Sequence, residues 1–364
     1  MKKFNQIIIL AMLLSTPVYG QVKMELHAEV PGTLESLLPD SIRRTFQMLI
    51  LTGNIDVRDF VFLTNYMRHL TDIDMSRAQI MDYTGKEGTY LNSTMYYPAN
   101  EIPHHAFLHI SAAPNRTLKN IRLPNSIKSI GSAAFGWCER LETCEFPVDS
   151  IEWIGRRAFS NCGYLQNIRV PKLLTVINIS TFSSCKRMES IEVSDNVTVI
   201  KEGGFSGCIG AIDLRIGVKV DSIYDKAFYR CESLQKIYSM NPTPPKIKST
   251  FRDVFTDVPK DIPVYVPDAS VELYRAAFGW KDFTNIRALS TGVQQPEENE
   301  YEIAINGKQL LLSKMQDRTI NIFDLQGKII FSKIRSNEQE EVLLPANGVY
   351  LLKIDQYYRK VLIQ

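Results

Sequence analysis

Six cysteines are the residues of this sequence best suited to covalent chemistry, and five of them recur at a regular spacing. Each of the five lies three residues after a phenylalanine: Cys138, Cys162, Cys185, Cys208 and Cys231. A cysteine nucleophile needs a singular environment with a positioned base, whereas a recurring position offers the same environment five times. The spacing therefore predicts small buried side chains that fill one column of a stacked core.

Disulfide bonds are the alternative chemistry, since an even number of cysteines ordinarily suggests them in an oxidising compartment. Neighbouring coils of a stacked repeat lie about 5 Å apart, so distance alone does not forbid bridges. However, a column of five is odd in number, its side chains point in parallel, and Cys144 occupies a column elsewhere filled by Ile or Leu. These features favour free thiols.

Three of the five histidines, His104, His105 and His109, lie close enough together to suggest a metal site. Neither an HExxH spacing nor a carboxylate at helical offset accompanies them, so we expect solvated loop histidines. No Gly-rich phosphate loop, GxSxG motif or Ser/His/Asp arrangement has the required flanking elements. The sequence predicts no catalytic residue, no metal site and no cofactor.

A phenylalanine recurs at a nearly fixed interval, and this recurrence predicts the structural elements that position the cysteines. The column is Phe107, Phe135, Phe159, Phe182, Phe205 and Phe228, separated by 28, 24, 23, 23 and 23 residues. A period in this range is typical of leucine-rich-repeat solenoids. An isoleucine column from Ile130 to Ile223 and a mostly leucine column from Leu141 to Leu234 keep the same step. We expect an α/β to mostly β solenoid with a period of about 23 residues.

A short alternating segment follows each phenylalanine and predicts a half-buried strand in a parallel sheet. The inward positions are Ile121, Cys144, Ile168, Ile191, Leu214 and Ile237. The outward column is Arg122, Glu145, Arg169, Glu192, Arg215 and Tyr238, with Asp74 as the neighbour of Arg122. Its charges alternate, so it predicts a sheet-stabilising ladder, and it is also the candidate ligand-binding face. The mixed signs argue against nucleic acid as a partner.

Both ends of the repeats carry segments that can cover them. Residues 21–69 form the predicted N-terminal cap, with a strand at Leu49–Thr52 and a helix that begins at Asp56, paired with Asp59. Its apolar positions are Phe60, Leu63, Met67 and Leu70. Residues 70–289 form the solenoid and its exit cap, where a strand at 264–267 precedes a helix capped by Asp268 and continuing through Phe278.

The first twenty residues have the composition of a secretory signal peptide, with Lys2 and Lys3 before an apolar run and small residues near Gly20. The chain carries 42 Lys and Arg and 40 Asp and Glu, so removal of that segment would bring the two counts level. This balance predicts no polyanionic partner. No other apolar run is long enough for a transmembrane segment.

A polar linker at 290–300 separates the solenoid from a predicted small β-sandwich at 301–364, which contains several short strands. Segments IFDLQGK (322–328), PANGVYLLKI (345–354) and RKVLIQ (359–364) resemble the type A sorting domain of type IX secretion substrates. The resemblance implies recognition of 301–364 by the secretion machinery and passage across the outer membrane of a Gram-negative bacterium.

The repeats resemble the BspA-like leucine-rich repeats of bacterial surface proteins over roughly residues 30–289. The resemblance rests on LTDIDMSRAQI (70–80), YPANEIPHHAF (97–107), the F-x-x-C-x-x-L frames and the exit segment 243–286. It implies a surface protein that binds a host or bacterial protein or glycan. Asp-Ser-Ile at 40–42, 149–151 and 221–223 resembles a bacterial O-glycosylation acceptor, although chance explains so short a motif about as well. Ser150 and Ser222 are predicted to be exposed.

These observations predict an exported, non-enzymatic cell-surface protein that acts as a binding or adhesion module. Two alternatives remain open: a structural surface-layer protein without a specific ligand, and a hydrolase that uses the repeats as a scaffold. A hydrolase would need a singular polar cluster in a pocket. The periodic columns contain none, so only the irregular stretch 78–106 could supply it.

Overall fold

The computed structural model of the protein describes residues 23–90, 93–108, 114–166, 168–249, 254–289, 302–314, 318–324, 329–333, 336–354 and 357–363. The chain divides into two compact units, Met1–Ile286 and Arg287–Gln364. Strands dominate both units and the described helices are short. The predicted signal peptide 1–20 and linker 290–300 lie outside the described residues.

Two parallel strands and a capped helix precede the repeats. The elements are β1 (Lys23–Ala28), α1 (Leu34–Leu37), α2 (Asp40–Arg43), β2 (Met48–Ile55) and α3 (Val57–Tyr66). The predicted helix start at Asp56 is confirmed: its side chain accepts a hydrogen bond from the Arg58 N–H, and Asp59 accepts one from the Asp56 N–H. Both acceptors satisfy backbone donors that the first helical turn leaves without intrahelical partners.

The repeats contribute short strands in rapid succession along the chain. The first group is β3 (Asp72–Ile80), β4 (Tyr83–Gly85), β5 (Met95–Tyr97), β6 (Glu101–Ile102), β7 (Asn120–Arg122), β8 (Ser129–Ile130) and β9 (Thr143–Glu145). The second group is β10 (Trp153–Ile154), β11 (Val176–Ile177), β12 (Ser190–Glu192), β13 (Val199–Ile200), β14 (Asp213–Ile216), β15 (Ser222–Tyr224), β16 (Lys236–Ser239), β17 (Lys246–Lys248), β18 (Pro263–Val266) and β19 (Asn285–Ala288).

Successive repeats, here called coils, place their strands in parallel sheets on two sides of one core. The first side has the orders β1-β2-β3-β7-β9 and β12-β14-β16-β18-β19, and the second has β6-β8-β10 and β11-β13-β15-β17. The predicted alternation is confirmed for Ile121, Ile191, Leu214 and Ile237, which are all buried. The irregular stretch adds one antiparallel pair, β4 with β5.

Both sheets are interrupted at the same coil, which corrects the predicted continuous ladder. Among the described residues, 168–170 form no strand, Ile168 is only partly buried, and no pairing joins β9 to β12 or β10 to β11. The preceding coil contains the step of 24 residues, with one extra residue between Glu145 and Ile154 compared with the later coils. A one-residue shift changes the pairing register of a strand, and the coil that follows this extra residue is the one without the strand.

The phenylalanine column is continuous across that interruption. Neighbouring rings lie parallel with centroids 5.1 to 5.8 Å apart, in the order Phe107, Phe135, Phe159, Phe182, Phe205, Phe228 and Phe255. At one end Phe60 of α3 meets Phe107 edge-on, and at the other Trp280 and Phe283 contact Phe255. The column predicted from the sequence ended at Phe228 and did not include Phe255. Its signal is F-x-x-V, with Val258 in the slot that cysteine fills elsewhere.

The six cysteines are free and buried, as the column predicted. Each thiol of the column donates a hydrogen bond to the carbonyl of the phenylalanine one coil earlier, for example Cys162 to Phe135 at 3.1 Å and Cys185 to Phe159 at 3.3 Å. Cysteine therefore fills the slot as a small apolar side chain and also satisfies a buried carbonyl.

The segment after β18 differs in detail from the prediction. A 3-10 turn at Asp268–Ser270 leads into α4 (Val271–Ala276), so the helix ends two residues before Phe278. Ala277 is extended, with φ −75° and ψ 138°, which ends the helical run.

The second unit contains two antiparallel sheets and its own core. Its strands are β20 (Glu302–Asn306), β21 (Gln309–Ser313), β22 (Ile320–Phe323), β23 (Ile329–Lys333), β24 (Gln339–Leu343), β25 (Gly348–Ile354) and β26 (Tyr357–Ile363). The sheet orders are β20-β21-β24 and β23-β22-β25-β26, and side chains of both sheets share one buried cluster. The predicted hairpin turn of FDLQGKII lies partly outside the described residues.

Candidate functional site

The predicted sheet face is present but divided. Parallel pairing places Asp74 opposite Arg122 and Arg122 opposite Glu145 in one sheet. In the other sheet, Glu192 lies opposite Arg215, and Arg215 lies opposite Tyr238. Arg169 falls in the interruption. Five of the six predicted residues therefore form two outward groups instead of one continuous column, and Arg169 belongs to neither.

Among the described residues, ion pairs between strand neighbours of the outward column occur only in the first group. The Arg122 guanidinium lies 2.8 Å from Glu145 and 3.5 Å from Asp74. The hydrogen bond to Glu145 raises the pKa of Arg122. Burial tends to raise the pKa of Asp74, but hydrogen bonds from Ser76 and the charge of Arg122 outweigh it, so this pKa is lowered.

The second group departs from the predicted ladder. Arg215 pairs with Asp195, at 3.0 Å, although Glu192 is its strand neighbour. Within the described residues, Arg169 forms no ion pair with Glu145 or Glu192. The physical reason is the missing strand at 168–170, because only paired strands hold outward side chains opposite one another.

An aromatic pair extends the second group. Tyr238 of β16 and Tyr265 of β18 are register partners, and their rings stack with centroids 5.0 Å apart at an angle of 19°. The outward column predicted from the sequence included Tyr238 but not Tyr265. The alternating P-V-Y-V of β18 carried that signal, since Val264 and Val266 are buried and Tyr265 points the other way.

His104 and His105 are not solvated loop residues, which corrects the prediction for these two. His104 and His105 are half-buried beneath Tyr90, with ring centroids 4.7 and 5.1 Å from it, and Tyr97 lies 5.1 Å from His104. Burial lowers the pKa of both histidines, and the charge of His105 lowers the pKa of His104 further. The irregular stretch folds back over the first coils, and this contact is invisible to periodicity. His109 lies outside the described residues.

A cavity of about 490 Å³ lies beside this aromatic cluster. Its lining residues are Tyr90, His105, Leu108, Ser132, Ala133, Trp137, Arg156 and Arg157. They come from the irregular stretch and from the phenylalanine turns of three consecutive coils. The stretch 78–106 supplies Tyr90 and His105 to this cavity, and the phenylalanine turns supply the other lining residues.

The left-handed backbone geometry around the cavity is a general feature of the repeat, whereas the side chains that line the cavity differ from those of other coils. His105, Ala133, Arg157 and Trp137 have φ between +51° and +59°. Later coils repeat this left-handed geometry at the same two columns with small residues such as Ser180, Gly203, Ser184 and Gly207. The coil of Phe228 again holds long side chains at both columns, Lys226 and Arg230, whereas the aromatic residues of these columns, such as His105 and Trp137, lie in the first coils.

The cavity holds no arrangement typical of a nucleophilic enzyme among the described residues. The hydrogen bond between Ser132 and His105 joins backbone atoms, from the His105 N–H to the Ser132 carbonyl at 3.0 Å. Within the described part of the chain, no group of three or more His, Cys, Asp or Glu is placed to hold a metal ion.

The serines of the Asp-Ser-Ile tripeptides are less accessible than predicted. Ser222 is buried, because this small side chain lies on β15 between its larger register partners Val199 and Lys246. Ser150 is half-buried and donates to backbone carbonyls of Ile127 and Pro147. Ser41 is exposed.

Comparison with known proteins identifies the repeats. The family model of the BspA type leucine-rich repeat region matches residues 100–235 in six copies. No curated protein matches the chain. Within the described residues, no helix combines the length and the apolar character that crossing a membrane requires.

Several solved structures are similar to this chain. A leucine-rich repeat protein from Bacteroides ovatus ATCC 8483 is 19% identical with a TM-score of 0.37, and the match covers 68% of this chain and 62% of that one. A leucine rich cell surface protein from Faecalibacterium prausnitzii A2-165 is 18% identical with a TM-score of 0.36, covering 68% and 51%. A leucine-rich repeat protein of T. pallidum is 25% identical with a TM-score of 0.36, covering 47% and 75%. This chain thus spans less than two thirds of the first two proteins.

Proposed function

We propose that this protein is an exported, non-enzymatic binding module of the cell surface that attaches to an extracellular protein or glycan. The proposal rests on the repeats, which match a family of bacterial leucine-rich repeats and hold outward side chains in fixed register. A scaffold of this kind presents an extended surface whose contacts come from several coils at once.

The stacked pair Tyr238 and Tyr265 is the observation that carries the proposal. Tyrosine and arginine are enriched among the residues that dominate binding energy at protein interfaces. Here two tyrosine rings stack on neighbouring strands, and Arg215 is the strand neighbour of Tyr238 on the other side. Rigid strands fix all three side chains before any ligand arrives, which reduces the entropy lost on binding.

A screen of the purified protein against extracellular-matrix proteins and a glycan array tests this function. For any ligand found, we expect the double variant Tyr238→Ala/Tyr265→Ala to weaken binding at least about tenfold. Tyr224→Ala is the matched control, because Tyr224 is an exposed tyrosine on the other sheet. Equal loss in the control would contradict the assigned face, and absence of every ligand would favour the structural surface-layer alternative.

Residues 301–364 are proposed to deliver the module by the route of type IX secretion substrates. The support is the sequence resemblance of 322–328, 345–354 and 359–364, together with a fold unit separate from the repeats. In the native host, deletion of 301–364 should leave the protein in the periplasm. The surface form should have lost this segment by cleavage within or near 290–300. Recovery of the peptide KVLIQ from surface-exposed material by mass spectrometry would show a retained domain and contradict the sorting role.

A further inference from the structure

We propose that the cavity between Tyr90, Trp137 and Arg157 binds a saccharide that carries a carboxylate, of the uronic or sialic acid type. This site is separate from the sheet face of Tyr238 and Tyr265, so the inference goes beyond the function proposed above. It rests on the size of the cavity, its aromatic walls and two adjacent arginines.

The size of the cavity suits one or two sugar rings. Ligand sites for small molecules are concave and occupy about 300–1,000 Å³, and the 490 Å³ of this cavity lies within that range. Its lining combines apolar and aromatic groups with a few polar ones, which is the usual composition of such a site.

Aromatic rings form part of the wall. Tyr90 is 38% exposed and is supported from behind by His104 and His105, whose rings lie 4.7 and 5.1 Å from it. Trp137 is half-buried in the same cavity. The electron-rich face of an aromatic ring attracts the C–H groups on the apolar face of a pyranose, so these walls favour a sugar ring over a compact inorganic anion.

Two arginines supply the charge. Arg156 and Arg157 both line the cavity, are exposed, and form no salt bridge within the described part of the chain. None of the eight lining residues is acidic. Glu139, on a neighbouring turn, is already paired with Arg116 at 3.0 Å. A planar guanidinium binds a carboxylate through two parallel hydrogen bonds, which gives both strength and orientation.

The arginine pair is particular to this coil and is not part of the repeat. The same two columns hold Ile179 and Ser180 in the next coil, Glu202 and Gly203 in the one after, and Asp225 and Lys226 in the third. Single positive charges such as Lys226 do recur in these columns, but two adjacent positive charges occur in this coil alone, whereas the phenylalanine recurs in every coil. The adjacent positive charges therefore point to a ligand.

The test is calorimetric titration of the purified protein with glucuronic acid and N-acetylneuraminic acid. We expect saturable binding of at least one acid and none of glucose or of the methyl ester of glucuronic acid. Quenching of tryptophan fluorescence that is lost in Trp137→Phe would locate the ligand in the cavity. Equal binding of acid and ester, or of N-acetylglucosamine 6-sulfate and the acids, would overturn the carboxylate assignment.

Variants with matched controls complete the test. Arg157→Gln should weaken binding of the acid at least about tenfold, since it removes the bidentate partner. Lys226→Gln removes a charge from the same column three coils later and should change nothing. If Arg157→Gln fails to fold, Arg156→Gln gives the same comparison. Unchanged affinity in a folded arginine variant overturns the proposal. Binding at Tyr238 and Tyr265 is measured separately and is unaffected by either result.

Discussion

At the scale of the residue, the recurring cysteine fills space in the core and also donates a hydrogen bond. The Phe182 carbonyl accepts from Cys208 at 3.3 Å and the Phe205 carbonyl from Cys231 at 3.4 Å. Serine could donate in the same way but is more costly to bury, and alanine would leave the carbonyl without this donor. The slot therefore favours a thiol in coil after coil.

Burial also makes these thiols inert. It raises the pKa of Cys208 to about 12 and raises the pKa of the other five cysteines. Because the thiolate is the reactive form, the native protein should react with Ellman's reagent far more slowly than a free thiol. After denaturation without reductant, close to six thiols should titrate. A count of two or fewer would mean that the cysteines are bridged in the protein as exported.

His104 should make stability depend on pH. Its pKa in the folded protein is lowered by burial and by the neighbouring His105, relative to the ordinary value of 6.5. The unfolded chain therefore binds more protons at this residue, so stability is fully present above pH 6.5 and falls as the pH drops below it. We expect the melting temperature to fall less between pH 7 and pH 5 in His104→Gln than in the unmodified protein. His27→Gln alters an exposed histidine and serves as control. Parallel curves for all three proteins would contradict this prediction.

At the scale of the element, strand pairing decides which charged side chains interact. Arg122 lies between Asp74 and Glu145 on three paired strands, so Arg122→Glu should lower the free energy of unfolding by about 1 kcal/mol. Arg169→Glu lies where no strand forms and should cost only a few tenths of a kcal/mol. Chemical denaturation of both variants measures the difference, which should shrink at about 1 M salt, where the Debye length is about 3 Å. Equal effects of the two substitutions on the free energy of unfolding would support the continuous charge ladder that the sequence predicted.

The interruption itself has a measurable consequence. Residues 168–170 lack strand pairing, while Ser190–Glu192 and Asp213–Ile216 are paired in register. Backbone amides without ladder hydrogen bonds exchange by smaller local openings. Native-state hydrogen exchange should therefore be faster at 168–170 than in β12 and β14. Equal protection would indicate that the two sheets are continuous in solution. Across this coil the phenylalanine turn still connects the repeats, since the Phe159 N–H donates to Thr181 at 2.9 Å.

The two units should be separable at the scale of the whole molecule. Each has its own buried cluster, and the division falls at Ile286 and Arg287. Residues 21–289 should therefore be soluble and unfold cooperatively, with a melting temperature within a few degrees of the corresponding transition in the full chain. Circular dichroism and calorimetry of the truncated protein provide the check. Aggregation or a non-cooperative transition would show that the repeats need 301–364 for folding.

The sequence alone determined the periodic part of this protein. The phenylalanine, isoleucine and leucine columns are buried as predicted, the cysteines are free, and the helix begins at Asp56. These features were predictable because a stacked repeat gives each column the same environment, so residue type and spacing carry the structural information locally. The strands after residue 300 followed from a different local signal, the alternation of apolar and polar residues along each strand.

Tertiary structure alone decided where the period fails. The coil after the extra residue before Ile154 lacks a strand at 168–170. Phe255 stacks on Phe228 although 27 residues separate the two. The cavity forms because Tyr90, in an irregular stretch, packs over His104 and His105 next to turns that come from other coils. Contacts between an irregular segment and a periodic one depend on the path of the backbone in three dimensions, and no spacing along the sequence records that path.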